Sequence, residues 1–306
     1  MLTRNIHQYS FLYALVHFPP VEEHRRLKTS RNRNLITEDE QRILYASSLA
    51  IFGMSVGSNV VEKLVLSGIG GKLILADPDK IEPTNLNRIT GGFSEVGAKK
   101  VDYVARKISE SDPYIEQVHI KNYIDEYSLS AITEEHHPNV FIDEVDDLPA
   151  KVSIRLEGSK STVPVLMATD LGDKSIIDIE RHDQKVVKPF NGRLKTSHID
   201  AILNDPDSRD SKRAFTKIIG IKNVTPRLIE SFMEQHKTLS GIPQLGMTAS
   251  MGSSLLALAC REILLDRKLD SGRYIFSPKD ILKLRSPTSL SLGTKTLIRF
   301  AKSSKS

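Results

Sequence analysis

The chain has 306 residues, of which 39% are hydrophobic and 26% charged, an ordinary balance for a protein that buries a core. No run approaches the roughly 18 consecutive apolar residues of a membrane-spanning helix, so a membrane role is not expected. The net charge of +5 permits an acidic partner but does not require one.

The first apolar patch, FLYALVHF at 11–18, follows only Arg4 and lacks a small-residue cleavage site. It reads as a packed N-terminal segment rather than a secretion signal, and a cytoplasmic protein is expected. Basic residues gather in HRRLKTSRNRN (24–34) and in LGTKTLIRFAKSSKS (292–306). Neither carries a nucleic-acid-binding motif with interleaved aromatic residues, so nucleic acid is not an expected partner.

A regular pattern begins at residue 48. SLAIFG (48–53) is a short apolar strand, SNVVEKLVLSG (58–68) a helix with apolar residues three and four apart, and GKLILAD (71–77) a second buried strand. A helix follows over 97–113, a strand over 116–124 and a helix over 125–135. NVFIDEVD (139–146) is a strand ending in carboxylates, PAKVSIRLEGSK (149–160) a helix and VPVLMATD (163–170) another apolar strand. SIIDIERHD (175–183) reads as a strand that runs differently, and residues 201–236 carry mixed helical hints. Residues 248–269 form a long helix that opens on small residues, suited to close approach of another backbone.

Strands this apolar, alternating with helices, imply an α/β fold: a Rossmann-like, doubly wound, mostly parallel sheet with an elaborated C-terminal part. Ligands in such sheets bind at the carboxyl ends of the strands, where Gly53, Asp77, Asp146 and Asp170 are expected to share one edge.

The loop IFGMSVGSNV (51–60) fits two chemistries. As G-x-S-x-G it is a nucleophile elbow presenting Ser55, with Asp146 or Asp170 and His182 or His198 as later partners. As a short, altered glycine loop, Gly53, Ser55 and Gly57 bring backbone N–H groups to a nucleotide phosphate at a helix N-terminus. The second reading requires an acid at the end of the next strand, and Asp77 stands there.

ADPDKIEPTNLNRITGGFSEVGAKKVDYVARKISESDP sets Asp77, Asn85, Arg88 and Lys100 in order before and into the next helix. With its acidic strand end, its T-N-L-x-R turn and its G-x-x-K helix start, the chain resembles the E1-like superfamily of ThiF, MoeB and HesA type adenylyltransferases over about residues 33–170. The resemblance implies that Asp77 holds a ribose, that Asn85, Arg88 and Lys100 contact a triphosphate, and that Asp146 holds Mg²⁺. It further implies that Arg33 reaches the nucleotide of a second subunit, and hence a homodimer. The expected reaction is ATP- and Mg²⁺-dependent activation of a carboxylate as an acyl-adenylate. The carboxylate belongs to a ubiquitin-like or sulfur-carrier protein, a peptide, a tRNA-linked acid or a small acid.

On this reading residues 1–47 are a helical, basic lead-in, 48–270 the nucleotide-binding domain with its core at 48–170, and 271–306 a partly flexible extension. The glycine loop departs from the family pattern, and the paired C-x-x-C motifs of several relatives are absent, so structural zinc is not expected. The single cysteine, Cys260, lies in an apolar helical run outside the crossover region 183–241, a poor place for a thioester nucleophile. Two further readings stay open: a non-catalytic E1-like scaffold, and a nicotinamide-dependent oxidoreductase that uses Asp77 for its ribose.

Overall fold

A computed structural model describes residues 17–220, 223–234, 237–239 and 241–284. The apolar segment expected at 11–18 lies outside the described residues except for its last two, and the basic tail at 292–306 lies wholly outside them.

Two helices lead in. α1 (Val21–Lys28) carries its acids in the first turn and its bases in the last, matching the helix dipole. α2 (Glu38–Ala46) starts on a capping box in which Thr37 Oγ1 accepts the Glu40 N–H and the Glu40 carboxylate accepts the Thr37 N–H.

The expected alternation then follows as β1 (Ser48–Phe52), α3 (Gly57–Leu66), β2 (Lys72–Ala76), α4 (Lys100–Ser111), β3 (Glu116–Ile120), α5 (Glu126–His136), β4 (Val140–Asp143), α6 (Leu148–Lys160), β5 (Val165–Leu171) and β6 (Lys174–Glu180). The region beyond resolves into α7 (Thr196–Asn204), α8 (Arg209–Ile219), α9 (Pro226–Glu234), α10 (Gly246–Leu264) and β7 (Gly272–Phe276). None of the described helices is long and apolar enough to cross a membrane.

The seven strands form one sheet in the order β3-β2-β1-β4-β5-β6-β7. The first five are parallel, β6 is antiparallel to β5 and β7 to β6. Only a tight turn through Gly172, at φ +70°, joins β5 to β6, too short for the crossover a parallel pair needs. Alternate strand residues feed opposite faces. Leu49, Ile51, Leu73 and Leu75 pack with α3, α4 and α10, while Ala50, Phe52, Ile74 and Phe141 pack with α5 and α6. The fold is therefore α/β, Rossmann-like and doubly wound, with a mostly parallel sheet.

Three boundaries differ from expectation. The strand read over 139–146 ends at Asp143, which leaves Asp146 in the following loop. The one read over 116–124 ends at Ile120, and Asp170 lies inside β5, one residue short of its end. The sheet also runs past residue 270, because β7 adds a seventh strand where an extension was expected to begin. The small residues opening α10 do permit close approach: a Cβ at Gly252 would press on Ser175 Oγ of β6 and Ala168 of β5.

Candidate functional site

β1 lies where the strand order reverses, with β2 on one side and β4 on the other, and the loops beyond their carboxyl ends meet there. Gly53 ends β1 at φ +88°, and a Cβ would collide with the Glu144 carbonyl, so only glycine fits. A Cβ at Gly57 would already meet Ile51 Cγ2 at 3.2 Å. α3 starts without a side-chain cap and without an acid in its first turn. Its first backbone N–H groups are therefore available to an anion, and the helix dipole favours one.

Two cavities flank this turn. One, of about 250 Å³, is lined by Gly53, Ser55, Asp77, Asp79, Lys100 and Tyr123, together with residues 144–147. The other, of about 470 Å³, is lined by Val56, Arg88, Lys151 and Asp170 and by an apolar wall that includes Met167, Phe215, Ile218 and Ile242. Glu144, Val145 and Asp146 belong to both, so the loop after β4 is their common wall.

In the smaller cavity Asp77 is buried. Its Oδ2 accepts the Met54 N–H at 2.6 Å and its Oδ1 the Asp79 N–H at 2.8 Å. A carboxylate offers about four acceptor positions, so it can still take a hydroxyl. Lys100 is buried at the start of α4, with Nζ 2.9 Å from Asp79 Oδ2 and 3.7 Å from Asp77 Oδ2. On the other side of the turn, Arg88 Nε donates to Ser55 Oγ at 2.9 Å, and Nη1 donates to Thr84 O and Asn87 Oδ1. Burial lowers the Arg88 pKa while Asp146 and Asp170 raise it; a guanidinium keeps its charge throughout.

The four crowded acids of FIDEVDD differ in what they hold. Asp143 is fully buried and paired with Arg155 Nη1 at 2.5 Å and Lys151 Nζ at 3.1 Å. Glu144 accepts the Ala168 N–H at 2.8 Å, and burial pushes its carboxyl well above the usual range. Asp147 caps α6 by accepting the Ala150 N–H. Asp146 alone is exposed to both cavities without such a tie. No trio of metal-binding side chains occurs among the described residues. A single carboxylate nevertheless fits Mg²⁺, which commonly takes one or two carboxylates and completes its shell with phosphate oxygens and water.

The structure thus gathers Gly53, Ser55, Asp77, Arg88, Lys100 and Asp146 around one turn, with Gly57 packed beneath it. Two residues from the expected set lie elsewhere. Asn85 lines neither cavity; it is buried, and its Oδ1 accepts the Glu82 N–H to hold the turn that presents Arg88. Arg33 is exposed, pairs with Glu38 and lines a separate hollow beside α1 and α2. Among the described residues no histidine lines either cavity: His182 is buried beside Glu180, and His198 sits on α7 against Lys217. Neither of the histidines expected as partners therefore serves Ser55 as the base that an elbow nucleophile needs. Cys260 is fully buried in α10, and burial pushes its thiol far up.

Sequence reasoning missed several members. Asp79 holds Lys100, and the acidic repeat in DPD was the available signal. Asn59, a polar residue on the buried face of α3, donates to Arg88 O at 2.6 Å. Asn87 also donates to Gln244 O, tying the Arg88 turn to the approach to α10. Tyr123, read as strand, is a largely exposed aromatic on the rim of the smaller cavity.

Residues 29–270 match the model of the ThiF family. An uncharacterized protein of Mycobacterium tuberculosis is 35% identical over 250 residues, covering 81% of this chain and 34% of that protein. This chain therefore spans about a third of that relative's length. The tRNA threonylcarbamoyladenosine dehydratase of Bacillus subtilis is 27% identical over 56% of this chain and 70% of its own. Among solved structures, PaaA aligns at a TM-score of 0.60 with 21% identity, covering 89% of this chain and 84% of that one. The Escherichia coli tRNA N6-threonylcarbamoyladenosine dehydratase TcdA, in complex with AMP, aligns at 0.55 with 14% identity over 79% of this chain and 95% of its own.

Proposed function

The chain belongs to the ThiF family, and from that premise we propose that it is an ATP- and Mg²⁺-dependent adenylyltransferase that activates a carboxylate as an acyl-adenylate and releases pyrophosphate. The observation that carries the proposal is the set of charges around the open N-terminus of α3: Lys100 in the smaller cavity, Arg88 in the larger, and the untied Asp146 on the wall between them. A solved structure of similar fold holds AMP, in keeping with a nucleotide as ligand.

The chemistry needs little more than this. Attack of a carboxylate on the α-phosphate brings two anions together and builds charge on the leaving pyrophosphate. Fixed cations and N–H dipoles must already be in place, and loss of one such donor typically costs about 2.7–4 kcal/mol in the transition state. Lys100 and the first turn of α3 would hold the phosphates, Asp77 the ribose and Arg88 the reacting oxygens. Mg²⁺, held by Asp146, would neutralise phosphate charge. The substrate carboxylate is itself the nucleophile, so no protein nucleophile is called for. The larger, partly apolar cavity would receive the acyl partner, whose class spans the C-terminus of a carrier protein, a peptide, a tRNA-linked acid and a small acid.

The test is ATP–pyrophosphate exchange with Mg²⁺ and a panel of such carboxylates, with Asp146→Ala alongside. Exchange that depends on one carboxylate and drops by about 10²–10³ in the variant is expected. A protein that neither exchanges nor binds ATP would instead be a scaffold that keeps the fold.

A further inference from the structure

One carboxylate on the larger cavity has no part in the adenylation just described. Both oxygens of Asp170 are shielded from solvent, and neither accepts a hydrogen bond from the protein. A buried acceptor left in this state loses its hydration without replacement, so the arrangement makes sense when a donor arrives from outside.

The surroundings narrow what that donor is. Arg88 faces Asp170, but its hydrogen bonds run to Ser55, Thr84 and Asn87. From the loop after β4 come Glu144, already engaged with Ala168 N–H, and Asp146. From α6 comes Lys151, held by Asp143. Among the described residues α8 and α9 contribute Phe215, Ile218, Ile219 and Phe232, and α10 contributes Gly252, where a Cβ would stand 3.5 Å from Asp170 Oδ1. An unpartnered carboxylate therefore stands beside an apolar wall, which suits a cationic or hydrogen-donating head on an apolar stem. Cys260 is buried in α10 and so offers the acyl group no thiol.

We propose that the larger cavity, beside the acyl group it holds, also receives a primary alkylamine as the acceptor and that Asp170 is the base that takes its proton during attack on the acyl-adenylate. The inference rests on the adenylation reading above. The ammonium docks on the Asp170 carboxylate and sheds one proton to solvent. The nitrogen lone pair then bonds to the acyl carbon, the bond from that carbon to the AMP oxygen breaks with its electron pair staying on AMP, and the second proton passes to Asp170. The products are an amide and AMP, and Asp170 returns its proton to solvent when they leave. Burial pushes Asp170 up to about 7, a value suited to a base working near neutrality.

The test compares the full chain with Asp170→Asn, which keeps the side-chain shape. In the first arm n-butylammonium is titrated into each protein without ATP. Wild type should bind it more tightly as pH rises through about 7, and the variant about tenfold more weakly with no such rise. In the second arm pyrophosphate exchange is measured in both proteins, and amide formation is expressed relative to it. Amide formation with n-butylamine should fall by about 10²–10⁴ in the variant, and the limb of the pH profile near neutrality should vanish. Equal binding and equal amide formation by the two proteins overturn the inference. A wild type that exchanges with no carboxylate overturns the adenylation reading and the base role with it, and the n-butylammonium arm then reports on the cavity alone.

Discussion

Asp170 carries a consequence for stability that does not depend on catalysis. Desolvation holds its folded pKa at about 7, above its ordinary 3.8, so between those values the folded chain keeps a proton that the unfolded chain has released. Its favourable linkage is complete in acid and disappears as pH rises through about 7, and above that the buried charge opposes folding. Asp170→Asn should therefore be more stable than the parent above pH 7, by up to about 4 kcal/mol, with the gap closing in acid. Thermal melts of both proteins across that range check it; a constant gap would mean that Asp170 does not titrate there. The loop after β4 shows what sequence could and could not reveal at this scale. Four acids crowd into FIDEVDD, and nothing in their spacing separates Asp143, buried under Arg155 and Lys151, from the untied Asp146. Burial and partners decide their roles, and those come from α6, a different element. Asn59 stayed hidden for the same reason, since its work is to hold a carbonyl 29 residues away.

At the scale of elements, the β1–α3 turn is the part most tightly specified. Gly53 combines a left-handed φ of +88° with direct contact against the Glu144 carbonyl, so the glycine sets both the phosphate loop and the distance to the Asp146 loop. Gly53→Ala should cost about 1–3 kcal/mol of stability and weaken ATP binding as well, because the side chain must push two walls of the site apart. A denaturant melt alongside ATP titration measures both, and normal ATP affinity in a destabilised variant would separate the turn from the site. Elements of this kind were legible because β1, β2, β4 and β5 are nearly continuous in apolar residues and α3 and α4 have apolar stripes. β7 was not. GRYIF is a short edge strand with three of its five residues exposed, and only its pairing with β6 marks it as sheet. Arg155 joins the elements on the far side of the site. It bonds Asp143 of β4 and Glu180 of β6 and stacks 4.0 Å over Phe190, a buried charge with a partner at each end.

The whole molecule raises the question of Arg33. Within one chain it is exposed, pairs with Glu38 and lies on a hollow with Arg25, Arg26 and Arg42, outside both cavities at the switch point. An arginine so placed helps a phosphate only if a second copy brings it there. We propose that the active form is a homodimer in which Arg33 of each subunit completes its partner's site, and symmetry makes the idea sharply testable. Arg33→Ala and Asp146→Ala should each abolish exchange alone. Mixed and allowed to reassociate, they form heterodimers in which one site has lost both groups and the other has both intact. With random pairing, about a quarter of wild-type activity should return. If Arg33 acted within its own chain, every site in every dimer would lack one group and mixing would restore nothing. Recovered exchange would therefore place the two residues in one site built by two chains, whereas a silent mixture would confine Arg33 to the lead-in surface where a single chain displays it.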